Sequence, residues 1–412
     1  MEKAINANRL FIASCFALLT TAFAFGIRAG IMNDLVEDMS LTDTQLGWIN
    51  FMGIFGFPIA TLVGGPLYNS LGPRRIGNVA FACHILGITF SILSNSFYTL
   101  FFSTFFISFA NGMVEAAYNP MIASMYPEKK ATMLNRFHVW FPGGIAIGSV
   151  LVLLVNNMGG SWQAKLAIMY IPALIYFFMF MGQKFPETGG KETASTADNV
   201  KAIFSSPLYW VMLVLMVMTA TTELGTQAWV ERILAASGAQ PLLVLALVTV
   251  LMAVGRLFAG PLIHQLNISG VLLASAVISA IAIYTMHMAT GGLVYVAAIL
   301  FAIGVCYFWP TMISFIAEYL PRTGALGMSL MGGVGMLGVS IFQPIIGHWI
   351  DSHRAAKQAE GLTGDALELA AGQATLANIA ILPAILTVAF IILNIYMLRT
   401  YKKGSTASAH QG

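Results

Sequence analysis

The sequence predicts an all-α membrane protein with twelve transmembrane helices in two six-helix halves. Three observations carry this prediction. The chain is poor in charge, its apolar residues fall into twelve runs long enough to cross a bilayer, and its basic residues gather on one side of the alternation those runs impose. Of 412 residues, 58% are hydrophobic and 9% are charged, against about 25% charged in a soluble domain. Such a chain cannot cover itself with polar surface, and it has none of the high charge and low hydrophobicity of disorder. Cys15, Cys83 and Cys306 each sit inside an apolar stretch. Their isolation fits neither a disulfide framework nor a zinc site, so they read as small packing residues. The net charge of +3 comes from scattered residues, which gives no reason to expect a nucleic-acid partner.

A bilayer span needs about 20 apolar residues. Candidate spans lie at about 10–33, 46–70, 76–96, 98–125, 135–157 and 163–183. A polar stretch at 184–206 follows, and six more spans lie at about 208–235, 241–265, 270–289, 292–319, 325–350 and 375–400. The expected organisation is therefore an N-terminal half at 1–183, a cytoplasmic linker at 184–206, a C-terminal half at 207–403 and a tail at 404–412. The first run is too long for a signal-peptide core and reads as a retained span. Period-2 strand patterns of a membrane β-barrel are missing. The segment 351–374 reads as a long outer loop whose DALELAAGQA stretch has helical character.

The charges support this alternation. Of twenty Lys and Arg residues, only Lys165, Arg232, Arg354 and Lys357 fall on the outer side, and Arg28 lies within a span. The rest mark the cytoplasmic face under the positive-inside rule, with both termini cytoplasmic. A bacterial inner membrane is the expected location.

Between spans 2 and 3 the chain reads Gly65-Pro-Leu-Tyr-Asn69-Ser-Leu-Gly72-Pro-Arg74-Arg75. Glycine at 65 permits close helix approach, glycine at 72 permits a reversal, and the arginines suit an anionic lipid surface. This stretch resembles the signature loop of the major facilitator superfamily, with Asn69 where the family usually has aspartate. Gly260-Pro-Leu-Ile-His264-Gln, at the matching point of the second half, reads as a degenerate copy of the same loop. A narrower resemblance covers Asn111-Gly-Met-Val-Glu115-Ala-Ala-Tyr-Asn119-Pro, Leu134-Asn135-Arg-Phe-His138, Glu223-Leu-Gly-Thr226-Gln227-Ala-Trp229 and Tyr307-Phe-Trp309-Pro310. These segments are similar to the fucose:proton symporter group of sugar permeases. The resemblance implies a twelve-helix transporter with one central site, a sugar-type solute and proton coupling.

Ionisable residues at membrane depth are costly and usually face a cavity or a partner. Arg28 cannot deprotonate there, so it reads as a clamp for a carboxylate or phosphate. Its alternatives are an ion pair with Glu115 or Asp34, or an outward-reaching side chain. Asn111, Glu115 and Asn119 share one helix face. Glu115 there reads as a proton-exchanging carboxyl, with His138 as its relay partner. Glu223 and Gln227 give span 7 a polar face, and Tyr307 and Trp309 supply an aromatic floor for a polyhydroxylated solute. The expected substrate-binding set is therefore Arg28, Glu115, Asn119, His138, Glu223, Gln227, Tyr307 and Trp309, with Glu115, Glu223 and His138 in proton coupling. Gly65, Asn69, Gly72, Arg74, Arg75, Arg256 and Glu318 are the expected gate and motif positions. Asp34, Glu37 and Asp38 read as a solvated outer rim, and Glu231 and Arg232 as outer surface charges.

No phosphate-binding loop, nucleophile motif or metal cluster stands out, so ATP drive and enzymatic chemistry are not expected. No cofactor is implied, and one chain suffices to enclose a site. The leading function is proton-coupled movement of a sugar or sugar-derived solute. The alternatives are a small organic anion held by Arg28, multidrug export through a cavity rich in Met and Phe, and a non-transporting sensor.

Overall fold

The computed structural model describes residues 5–126, 130–187, 196–256 and 258–408. The side chains of Asn69, Asn135 and His264 lie outside the described set. Among the described residues, eleven helices are long and apolar enough to cross a membrane, and a twelfth apolar helix is shorter. They are α1 (Ala7–Ala29), α2 (Asp43–Gly65), α3 (Ser70–Ile92), α4 (Phe97–Met125), α5 (Arg136–Asn157), α6 (Trp162–Phe180), α7 (Pro207–Ala228), α8 (Pro241–Arg256), α9 (Gln265–Met288), α10 (Gly292–Ile316), α11 (Leu326–Ala359) and α12 (Gly364–Thr400). Each lies on a span read from the sequence. Large apolar side chains on their outer faces stay uncovered, with Phe178 59%, Val214 61% and Ile392 64% exposed. In water such faces would be an aggregation hazard, whereas in lipid they are the solvated surface. Buried hydroxyls bond back to carbonyls of their own helices, as Ser14 to Leu10, Ser149 to Ile145 and Thr249 to Leu245. These hydroxyls are thereby satisfied without water.

Even spacing of the helices puts the start of α1, the end of α12 and the α2–α3 turn at one end of the bundle, here the motif end. Helices α1–α6 and α7–α12 form the two halves. The halves meet along two seams, α2 against α11 and α5 against α8. At the opposite end the first seam is very close. A Cβ at Gly47 would meet Pro344 Cα at 2.5 Å, and one at Gly347 would collide with the Asp43 backbone. Only glycine permits that approach.

The α2–α3 turn and its expected copy share a backbone signature. Gly72 has φ 73° and ψ 164°, and Asn267, seven residues after Gly260 as Gly72 is after Gly65, has φ 56° and ψ 172°. A positive φ needs no compensation in glycine, but it strains asparagine. Asn267 is held by its own side chain, whose Oδ1 accepts from Gly270 N at 2.9 Å and from Ser269 Oγ at 2.9 Å.

The segment 351–374 is not a long loop. Helix α11 runs on to Ala359 and α12 begins at Gly364. Polar turns extend both helices past the apolar slab, tied by Arg354 to Glu368 at 2.8 and 2.9 Å and by Lys357 to Glu360 at 2.8 Å.

Candidate functional site: a cavity between the two halves

A cavity of about 380 Å³ lies between the halves. On the N-terminal side its walls include Phe25, Phe57, Thr61, Glu115, Asn119 and His138. On the C-terminal side they include Glu223, Arg256, Trp309, Ser329 and Met336. An apolar plug of Ile54, Leu224, Met336 and Val339, flanked by Phe25, Phe57 and Trp309, closes it toward the opposite end. Toward the motif end the walls diverge. Gly65 and Gly333 line the cavity, and a Cβ on either would meet no described atom within 4 Å.

Two polar groups face each other across this space. In the N-terminal half, Asn119 Nδ2 donates a short bond to Glu115 Oε2, and His138 Nε2 donates to Asn119 Oδ1 at 3.1 Å. His138 Nε2 also lies 3.9 Å from Glu115 Oε2. One amide thus bridges a carboxylate and an imidazole. The one-face spacing of Glu115 and Asn119 produces this geometry. Asn111, one turn earlier, turns elsewhere and accepts from His84 Nε2 at 2.9 Å.

In the C-terminal half, Glu223 Oε1 accepts from Arg256 Nη2 at 3.2 Å. Its other oxygen, Oε2, is buried without a partner. Glu223 sits within a π-helical turn, Thr221–Gly225, inside α7. Such a turn carries one surplus residue and recurs at functional sites. It points Glu223 inward at the cost of regular hydrogen bonding. Arg256, expected at a gate, lines this cavity. The last turn of α8 delivers it to the cavity wall, where its Nε also donates to Cys306 O at 3.2 Å. Glu318 remains exposed at the end of its helix.

Three expected binding residues do not line the cavity. Gln227 is buried and donates to Met252 Sδ at 3.4 Å. Tyr307 donates its hydroxyl to Gly255 O at 2.8 Å, which ties α10 to α8. Arg28 is one helical turn past Phe25 toward the opposite end, 8% exposed, with Nη1 donating to Gly53 O at 2.6 Å and Nη2 unpartnered. The Phe25 ring lies 5.1 Å from its guanidinium carbon, so the same aromatic walls the cavity and screens the arginine from it. Arg28 pairs with neither Glu115 nor Asp34. At the motif end, Arg74 lies over the Phe185 ring at 5.9 Å, and Arg75 is exposed.

The opposite end is closed by charge. Asp43, 1% exposed at the start of α2, accepts from Arg232 Nε and Nη2 at 2.7 and 2.9 Å and lies 2.7 Å from Arg354 Nη1. Asp351 of α11 accepts from Asp43 N at 3.2 Å and from Thr44 N and Oγ1 at 2.8 and 2.6 Å. A carboxylate from one half therefore caps a helix of the other, with the helix dipole in its favour. Arg232 Nη1 donates to Asn33 Oδ1 at 2.8 Å, and Glu231 Oε2 accepts from Asn33 N at 3.3 Å. Glu231 and Arg232 are thus not surface charges but the core of a joint between the halves. Burial pushes the Glu231 carboxyl up to about 7, opposed by the Asn33 amide, assisted by Asp34 and countered by Lys165. Asp34 is not only a rim residue, since it pairs with the buried Lys165 at 2.5 Å. Asp38 accepts from Trp162 Nε1 at 2.9 Å.

Comparisons with known proteins agree with this architecture. The Major Facilitator Superfamily profile matches residues 14–232. The chain is 21% identical over 233 residues to the 2-nitroimidazole transporter of Escherichia coli (strain K12), covering 56% of this chain and 59% of that one. It is also 21% identical over 190 residues to Myo-inositol transporter 1 of Candida albicans (strain SC5314 / ATCC MYA-2876), covering 43% of this chain and 34% of that protein. The match therefore spans about three-fifths of the first relative and a third of the second. The crystal structure of nucleoside transporter NupG superposes with a TM-score of 0.74 at 13% identity, covering 94% of this chain and 98% of that one, a likeness of fold. With the profile matched over more than half of its length, this multi-pass membrane chain belongs to the Major Facilitator Superfamily.

Proposed function

We propose that the protein is a secondary active transporter that moves a small polar solute, a sugar or sugar-derived molecule, by proton-coupled alternating access. The observation that carries this reading is the central cavity, closed by charge at one end, open at the other, and lined by two separate acid-bearing clusters. The motif end is the cytoplasmic end, because the basic residues other than Arg28 and the four exceptions gather there. The structure then represents an inward-open state in a bacterial inner membrane, with both termini cytoplasmic. The halves are residues 1–183 and 207–403, joined by the linker at 184–206.

Glu115, Asn119, His138, Glu223 and Trp309 are the proposed solute contacts. Acceptors and amides bind hydroxyls, and an aromatic face takes the apolar side of a sugar ring. Glu223 is the leading coupling residue. When it takes a proton its pairing with Arg256 is lost, so proton binding frees a donor at the cavity wall. Glu115 and His138 form the second proton relay. The myo-inositol transporter among the relatives and the segments resembling fucose:proton symporters support a polyhydroxylated solute.

One observation favours a second reading. Arg256 is a cation at the cavity wall, so a small carboxylate that displaces Glu223 would bind there with a proton. Uptake into proteoliposomes under an imposed pH gradient, with paired neutral sugars and sugar acids, separates the two. Sugar accumulation that follows the gradient and is lost in Glu223→Gln supports the first reading. Accumulation of acids alone, lost in Arg256→Gln, replaces it with the second. Flux indifferent to the gradient in the unaltered protein refutes coupling.

A further inference from the structure

Arg28 carries a full charge at bilayer depth, and among the described residues it forms no ion pair. Its contacts are one carbonyl, Gly53 O, and one aromatic face, Phe25. Neither neutralises it. Nη2 is fully buried without a partner, and Asn50, whose Nδ2 is another buried donor without a partner, lies one turn before Gly53 on α2. An isolated buried charge is too costly to keep without a counter-charge.

Beside Arg28 is a small cavity of about 30 Å³, separate from the central one and lying wholly within the N-terminal half. Its walls are Arg28, the hydroxyl-bearing Ser91 and Thr104, and apolar side chains such as Ile49, Leu100 and Met169. The volume admits one monatomic ion or a water, and no transported solute. Its chemistry is one-sided. The Arg28 guanidinium supplies both the charge and a free donor, Nη2, whereas the Ser91 and Thr104 hydroxyls already donate to Ser103 Oγ at 2.9 Å and to Phe101 O at 3.0 Å. No carboxylate lines the cavity to favour a cation.

We propose that this cavity is a structural site for a single monatomic anion, chloride in physiological media, which neutralises Arg28 and ties α1 to α2, α3 and α4. The site is independent of the solute and of its coupling. It gives Arg28 the counter-charge its position demands, supplied from solution rather than from the chain. Water would satisfy the donor but leave the charge.

The test uses the purified full-length protein in detergent, unfolded thermally at constant pH and ionic strength in sodium chloride, bromide, gluconate or sulfate. The expected result is a saturable rise of several degrees in chloride and bromide over gluconate and sulfate, which are too large to enter. Arg28→Gln should unfold at the same temperature in all four salts. A second measurement needs no variant. Crystals grown in bromide should show an anomalous peak in contact with Arg28 Nη2. Equal unfolding temperatures for the unaltered protein in all four salts would overturn the site, as would bromide-grown crystals with no peak there.

Discussion

The two ends of the bundle are built on different principles. At the opposite end, the halves are joined by Asp43, Arg232, Arg354 and Asp351, by the helix cap that Asp351 provides, and by two glycines that bring α2 and α11 into backbone contact. At the motif end, the same two helices have parted, and the glycines there face open space. The joint at the opposite end is directional and charge-assisted, so it either forms in full or fails. The cavity mouth is lined by small residues that cost little to expose.

The largest effect should come from removing the hub of the closed end. In Asp43→Asn the half-buried Arg232 and Arg354 lose the buried carboxylate they share, which costs about 3 kcal/mol. Labelling of a cysteine placed at Ile54 in the plug, by a membrane-impermeant thiol reagent added on the opposite side, should rise at least about tenfold. Unchanged labelling would show that packing, not charge, shuts this end.

A pair of glycine substitutions sharpens the contrast. Gly47→Ala forces a Cβ onto the Pro344 backbone and should cost about 1–3 kcal/mol. Gly65→Ala meets nothing in this state and should leave the stability within about 0.5 kcal/mol of unaltered. It should nonetheless slow transport, because closing the motif end needs that space. Equal destabilisation by the two would erase the distinction between the ends.

The smallest effect is a pH dependence of the joint. Glu231 titrates at about 7 in the folded protein, above its ordinary 4.5. A raised acid favours the folded state while it holds its proton. That contribution is complete below about 4.5 and is lost as pH rises through about 7. The unfolding temperature should therefore fall between pH 5 and 8, and Glu231→Gln should flatten the fall by about 2 °C. A fall of the same size in Glu231→Gln would assign the dependence to another group.

Much of the architecture was legible in the sequence. Spans follow from apolar run length, a local property, and the α2–α3 loop with its copy predicted the repeat that Gly72 and Asn267 share in backbone angle. Glu115, Asn119, His138, Glu223 and Trp309 were legible as polar or aromatic residues at depth, and all five line the cavity. The fate of Arg28, Gln227 and Tyr307 was not, because the direction of a side chain depends on helix rotation and neighbours that the local pattern does not contain. The pairing of Arg256 with Glu223 at the cavity wall was not legible for the same reason. The joint at the opposite end unites residues some 200 and 300 positions apart, which no local pattern links. A signal was nevertheless present. The four basic residues that break the charge asymmetry, Lys165, Arg232, Arg354 and Lys357, all form ion pairs in the structure. Cations that violate a topological rule are good candidates for paired ones.

The π turn in α7 has an evolutionary consequence. A π turn is what a single-residue insertion leaves behind when a helix absorbs it without changing its ends. Around Thr221–Gly225, α7 should therefore tolerate deletion of one residue, reverting to a regular helix with both termini in place. The same deletion elsewhere in a span would turn every following side chain by about 100°. Removing one residue there would change how Glu223 is presented while leaving both ends of α7 in place.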